Sequence, residues 1–211
     1  MGRISGFGRR DALRIGVLGG AVLLAGCGAG WRVDYPQALD PAVTRGWRVA
    51  DVRVAVPETL TTSDVNSWTP DYDIVWHGDP PGDRHAQVKA VMTSAIAAGA
   101  ADLKGKQPVI LNVTMQQFHA ITPKVEEYLN FSGVHDIRFV MQILDARSGK
   151  PLTEPTQIAA DTPALVGRAA RDARARGYTQ KQEVIDGVAK VIRGYLGTGP
   201  DPRHKFSRMG R

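Results

Sequence analysis

Gln107–His119 reads QPVILNVTMQQFH, and Val134–Asp145 reads VHDIRFVMQILD. In the first stretch Val109, Leu111, Val113 and Met115 alternate with Ile110, Asn112, Thr114 and Gln116. In the second, His135, Ile137, Phe139, Met141 and Ile143 alternate with Asp136, Arg138, Val140, Gln142 and Leu144. A period of two sends alternate side chains to opposite faces of a sheet, so both stretches are expected as half-buried strands. Asp145–Gly149 (DARSG) reads as a turn with Gly149 at positive φ. Leu152–Asp161 is the returning strand, and Pro151 and Pro155 suit an edge, because proline cannot donate to a ladder.

Outward from this hairpin the period changes. Within Arg84–Leu103, Val88, Val91, Met92, Ala95 and Ile96 recur at helical spacing, with Asp83 placed to cap the N-terminus. The small residues Ala97–Ala101, Gly99 among them, suit close packing on a sheet. Within Thr179–Leu196, Val184, Ile185, Val188, Val191, Ile192 and Tyr195 form an apolar stripe; Thr179 and Gln182 make a capping box and Gly197 a stop. Trp47–Val56 and Tyr72–Trp76 read as further strands, while Ala164–Gly177 fits helix or loop. The order is β-α-β-β-β-α. Short links make the last three strands antiparallel neighbours, and two amphipathic helices cover one face. The expected fold is therefore α+β, an antiparallel sheet of about four strands with both helices on one side.

The 211 residues are 43% hydrophobic and 23% charged, which places the chain among globular proteins rather than disordered ones. Its net charge of +6 does not mark a nucleic-acid binder. Arg3, Arg9, Arg10 and Arg14 stand against Asp11 in the first 26 residues, and Arg203, Lys205, Arg208 and Arg211 against Asp201 after Pro200, so residues 27–200 are neutral.

The N-terminus has its own pattern. A basic start precedes the short apolar run Ile15–Leu24 and the sequence Leu24-Ala25-Gly26-Cys27. This is the layout of a secretory signal, and the run is too short to cross a bilayer, which takes roughly 20 apolar residues. Leu24-Ala25-Gly26-Cys27 resembles the lipobox of bacterial lipoproteins. That resemblance implies cleavage before Cys27, a diacylglyceryl group on its thiol and firm attachment to a membrane. Cys27 is the only cysteine, so no internal disulfide can form. Arg9-Arg10-Asp11-Ala12-Leu13-Arg14 partly resembles a twin-arginine export motif, leaving that route and the general one both open. Gly28 after the cysteine, by the same resemblance, permits transfer to the outer membrane. The organisation expected is signal peptide 1–26, lipidated tether 27–45, one α+β domain 46–197 and a disordered basic tail 198–211. The segments Asp73–Arg84 and His135–Gly149 are similar to those of small, uncharacterised lipoproteins of Gram-negative bacteria.

Three groups of residues bear on chemistry. His77, Asp79, Asp83 and His85, with Asp71 and Asp73 nearby, have metal-ligand types but no recognised ligand spacing. His119 and His135 sit at strand ends and could meet. Arg168, Arg171, Arg174 and Arg176 form an arginine-rich stretch whose first three members would share one side of a helix; guanidinium groups bind phosphate or carboxylate. Phosphate loops, Gly-x-Ser-x-Gly and His-Glu-x-x-His are absent. No cofactor, metal or catalytic set is expected. The leading expectation is a non-enzymatic, membrane-anchored periplasmic lipoprotein that docks an envelope protein. The alternative is a module for an anionic envelope component, with a metal-dependent hydrolase behind it. Partner and oligomeric state are not readable.

Overall fold

The computed structural model describes residues 32–69, 71–130 and 133–203. In chain order the elements are β1 (Val33–Asp34), α1 (Pro41–Thr44), β2 (Trp47–Ala55), β3 (Thr62–Ser63), β4 (Ile74–Val75), α2 (Arg84–Gly99), β5 (Gln107–His119), α3 (Pro123–Tyr128), β6 (Gly133–Asp145), β7 (Thr156–Ala160), β8 (Thr162–Ala164), α4 (Gly167–Ala175) and α5 (Gln180–Tyr195).

The thirteen-residue strands β5 and β6 form the antiparallel centre, with Leu111 opposite Ile143, Val113 opposite Met141 and Met115 opposite Phe139. Between Met115 and Gln117 the register shifts, and Phe118 then faces Ile137. This bulge moves the buried set from odd to even positions, so Phe118 rejoins the face of Met115. At the far end Gly149 takes φ +71°, as the turn requires.

The expectation of about four antiparallel strands is overturned. The sheet has eight strands and is mixed. Beside β5 lie β2 along residues 107–114 and β4 along 118–119, both parallel to it, and β3 is parallel to β4. Beside β6 lie β7, opposite residues 138–141, and β8, opposite 133–135. The parallel pairing follows from α2, which carries the chain back to the end where β2 began before β5 starts. Among the described residues five helices, not two, accompany the sheet. Nor is β7 a bare edge: β1 pairs with it, Val33 opposite Ala160.

Helices α2 and α5 share one apolar cluster with the sheet face bearing Leu111, Val113, Ile137, Phe139 and Met141. Asp83 and Thr179 cap them, accepting from Ala86 N and Gln182 N. On the other face Thr114, Gln116 and Gln157 are exposed, and Asn112, Val140 and Gln142 are half-buried. Gln157 donates to Gln116 there. Among the described residues no helix is long and apolar enough to cross a membrane.

The described parts of the segments read as tether and tail lie against this body. Tyr35 is buried, edge-on to Tyr195 at 5.4 Å, and its hydroxyl donates to Asp201. Arg203 lies over the Tyr35 ring at 4.6 Å and donates to Tyr35 O and Pro36 O. Single residues provide this packing, so no periodicity announces it.

Candidate functional site

The functional groups gather where β5 ends and β6 begins. Ile121, Val125, Ala164 and Val166 form a small second core there beneath α3 and α4. A buried polar chain runs beside it. His135, fully buried, accepts the Ile121 N–H on Nδ1, which leaves the proton on Nε2, 3.6 Å from Glu183 Oε1. Glu183 also accepts from Leu165 N and from Arg174, whose guanidinium spans Glu183 (2.9 Å) and Glu126 (2.6 Å). Burial pushes the Glu183 carboxyl up, but His135, Leu165 N–H and Arg174 together hold it below the usual range. The chain fastens β6, α3, α4 and α5 to one another. Both Glu183 oxygens are occupied, so the arrangement acts as a brace.

Next to it, β1, β8 and α5 enclose a cleft of about 390 Å³ with apolar walls at Val33, Leu165, Val191 and Pro202. On its rim Tyr178 donates to Asp186; burial first, and that bond second, push the Tyr178 hydroxyl up to about 12. Asp161, 2% exposed, accepts the Arg32 N–H. Burial, with the Asp136 carboxylate beside it, pushes Asp161 up to about 7, against the pull of that N–H and of Arg138. The cleft suits an apolar group; Tyr178, Asp186 and Glu183 in its lining are engaged by the fold, while Thr162 Oγ1 is buried without a hydrogen-bond partner.

The same end carries an exposed aromatic group. Trp68 (48% exposed) stacks edge-on with Tyr128 (63% exposed) at 6.4 Å, and Lys124 Nζ lies 5.1 Å from the Trp68 ring. Val65 and Tyr72 are exposed on the same loop. Thr122 donates to Ser67 O, Lys124 N to Asn66, and the His119 ring bonds Tyr72 O, so the loop is fixed in place.

The sequence candidates separate. Leu24, Ala25, Gly26 and Cys27 lie outside the described residues. Arg168, Arg171 and Arg176 are exposed, with Arg168 3.7 Å from Asp172, whereas Arg174 is turned into the brace. His119 and His135 do not meet: His119 stands opposite Asp136 in the register, and His135 points to the other face. In the loop before α2, Asp79 accepts from Trp76 Nε1 and Lys181, Asp83 caps the helix, and His85 bonds Leu60 O. Among the described residues no three His, Cys, Asp or Glu side chains are grouped to hold a metal. Two features were missed: the Trp68–Tyr128 pair and the buried Arg84, which donates to Asp64, Asp79 O, Pro80 O and Gln87. An aromatic residue in an otherwise polar loop was the available signal for Trp68.

Residues 47–211 match the family of unknown function DUF6778. The chain belongs to DUF6778. No curated protein matches it. Among solved structures, this DUF6778 chain is similar to a Xanthomonas campestris protein of family DUF330, at 14% identity and TM-score 0.44 over 79% of this chain and 94% of that one. It is similar to the PelC dodecamer of Paraburkholderia phytofirmans, at 13% identity and TM-score 0.36 over 76% and 94%. It is also similar to a candidate lipoprotein of Caulobacter crescentus, at 12% identity and TM-score 0.32 over 75% and 92%.

Proposed function

We propose that this DUF6778 protein is a non-enzymatic accessory factor of the bacterial envelope, held by lipid on Cys27 at the periplasmic side of the outer membrane, that works by docking a partner protein. The observation that carries the docking reading is the helix-free sheet face. Strands β5, β6 and β7 present Asn112, Thr114, Gln116, Val140, Gln142 and Gln157 there, neutral side chains at half-buried or exposed positions on a continuous ladder. Neutral polar groups carry no charge to desolvate, and a partner that remakes their hydrogen bonds can cover them; the charged Asp51–Arg53 pair stands at the β2 side of this face. The engagement of His85, His119, Asp79, Glu183 and Arg174 in fold-holding bonds supports binding over chemistry.

Two measurements test the reading. Intact mass and membrane fractionation of wild type beside Cys27→Ala should show loss of residues 1–26, acyl mass on the wild type alone, and release of the variant from the outer-membrane fraction. A photo-crosslinking side chain at Thr114 or Gln142 should give one reproducible protein adduct in cells, while the same group at Ala97 on α2 should not. Adducts absent from both sheet positions would remove the docking surface.

A further inference from the structure

We infer that the end of the molecule bearing Trp68, Tyr72 and Tyr128, with Lys124 beside Trp68 and Arg168 and Arg171 exposed on the adjoining α4, rests on the headgroup layer of the membrane that anchors the chain. The inference rests on the lipid anchor at Cys27 and adds how the body stands on that membrane.

Three observations lead to it. The first is where the chain enters the fold. Arg32 N–H is fixed on Asp161, and Val33 pairs with Ala160 at the end of β7. That end of β7 lies beside the start of β6, through Arg138 and Ala159, which lies beside the end of β5, through Ile137 and Phe118. From the end of β5 the chain passes into α3, and β3, parallel through β4 to β5, delivers the 64–72 loop to the same side. Anchor and aromatic group therefore share one end of the sheet: β5, which leads into α3 and Tyr128, lies three strand spacings or roughly 15 Å from β1, and β4 and β3, which flank the 64–72 segment, lie one and two spacings further.

The second is the length of the link. Four residues lie between Cys27 and Arg32, so five residue steps join them. Fully extended they reach at most roughly 17 Å. A lipid-bound Cys27 thus keeps this end of the body, and not the opposite one, within contact range of the bilayer.

The third is the chemistry of the surface. Trp and Tyr rings have an apolar body and a polar tip and settle at the headgroup level. Lys124 stands over Trp68, and its stem can lie along the ring while its charge reaches phosphate. The first turn of α4 abuts the end of α3: a Cβ on Gly167 would come within 2.9 Å of Leu129 O and Asn130 Oδ1. Arg168 and Arg171, exposed on α4, therefore belong to the helix that adjoins α3. Glu127, Asp71 and Asp172 lie in the same region, so the surface is close to neutral. The aromatic rings, rather than net charge, do most of the holding.

The test uses the mature lipidated protein reconstituted into vesicles of phosphatidylethanolamine and phosphatidylglycerol carrying bromine on the upper acyl carbons. All samples carry Trp31→Phe, which removes the tryptophan beside Cys27; Trp47 and Trp76 are buried, so the emission then removed by Trp68→Phe reports Trp68. That share should fall by at least half in brominated vesicles relative to unbrominated ones. Moving the reporter with Trp68→Phe plus Tyr128→Trp should restore a quenched component. Protein that floats with the vesicles, yet whose emission at both positions ignores the bromines, overturns the inference and leaves the anchor standing. Protein without acyl mass that does not float overturns both.

Discussion

Asp161 ties the chain's point of entry to the sheet, and it does so as a buried acid beside a second one. A carboxyl pushed up to about 7 holds its proton in the folded state through a range where the unfolded chain has lost it. Its contribution to stability is therefore complete below about pH 4 and is lost as pH rises through about 7. Asp161→Asn keeps an acceptor for Arg32 N–H and cannot ionise. In thermal melts the variant should match wild type near pH 4.5 and exceed it by several degrees at pH 8. Equal melting temperatures at pH 8 would show that ionising Asp161 costs the fold nothing. Neither Asp161 nor Arg174 could be read correctly from sequence. Arg174 stood with Arg168 and Arg171 on one helical side, but its partners Glu126 and Glu183 lie 48 and 9 residues away. Long-range pairing leaves no local trace.

At the scale of elements, legibility followed length. β5, β6, α2 and α5 each run for 13 or 16 residues, long enough for a period to show. β1, β3 and β4 have two residues each and β8 has three, so no period exists to be seen. The bulge after Met115 was hidden too, because an alternating sequence gives no sign of where it will slip by one. Gly99 was read as a close contact, but its neighbour is a helix and not the sheet. A Cβ there would stand 2.5 Å from Ile192 Cβ and 2.8 Å from Ala189 O. Gly99→Ala should gain about 1 kcal/mol of helix propensity and lose more to overpacking of α2 against α5. The expected net loss is about 1–2 kcal/mol in urea unfolding, with an unchanged m-value. A stabilised variant would mean that the helices can part at no cost.

In the molecule as a whole, the two described ends of the chain are fastened to each other. Tyr35 holds Asp201 and Arg203 while packing on Tyr195, so residues from both ends of the sequence close one side of the core. Tyr35→Ala should cost about 3 kcal/mol, as removal of a buried aromatic ring does. That loss lowers the melting temperature by roughly 6–12 °C. A drop of less than 2 °C would show that the ends are not part of the cooperative unit. The candidate site was less legible than the core for a reason of the same kind. Trp68 and Tyr128 lie 60 residues apart in sequence, and only the pinning of the 64–72 loop by Thr122 and Lys124 makes them one surface.

The two-residue strand β1 gives this fastening a mechanical meaning. Tension drawn through the N-terminal link falls first on two residue pairs, Val33–Ala160 and Asp34–Ala159, and on the socket of Tyr35. These yield long before the ten residue pairs that join β5 to β6. Freeing residues 32–40 would pay out roughly 30 Å of chain and open the Tyr35 side of the core while the β5–β6 pairs hold. A single-molecule pulling trace should show that short step ahead of the main rupture. The protein would then behave as a body on a leash with a reserve coil, able to follow a partner away from the bilayer without unfolding.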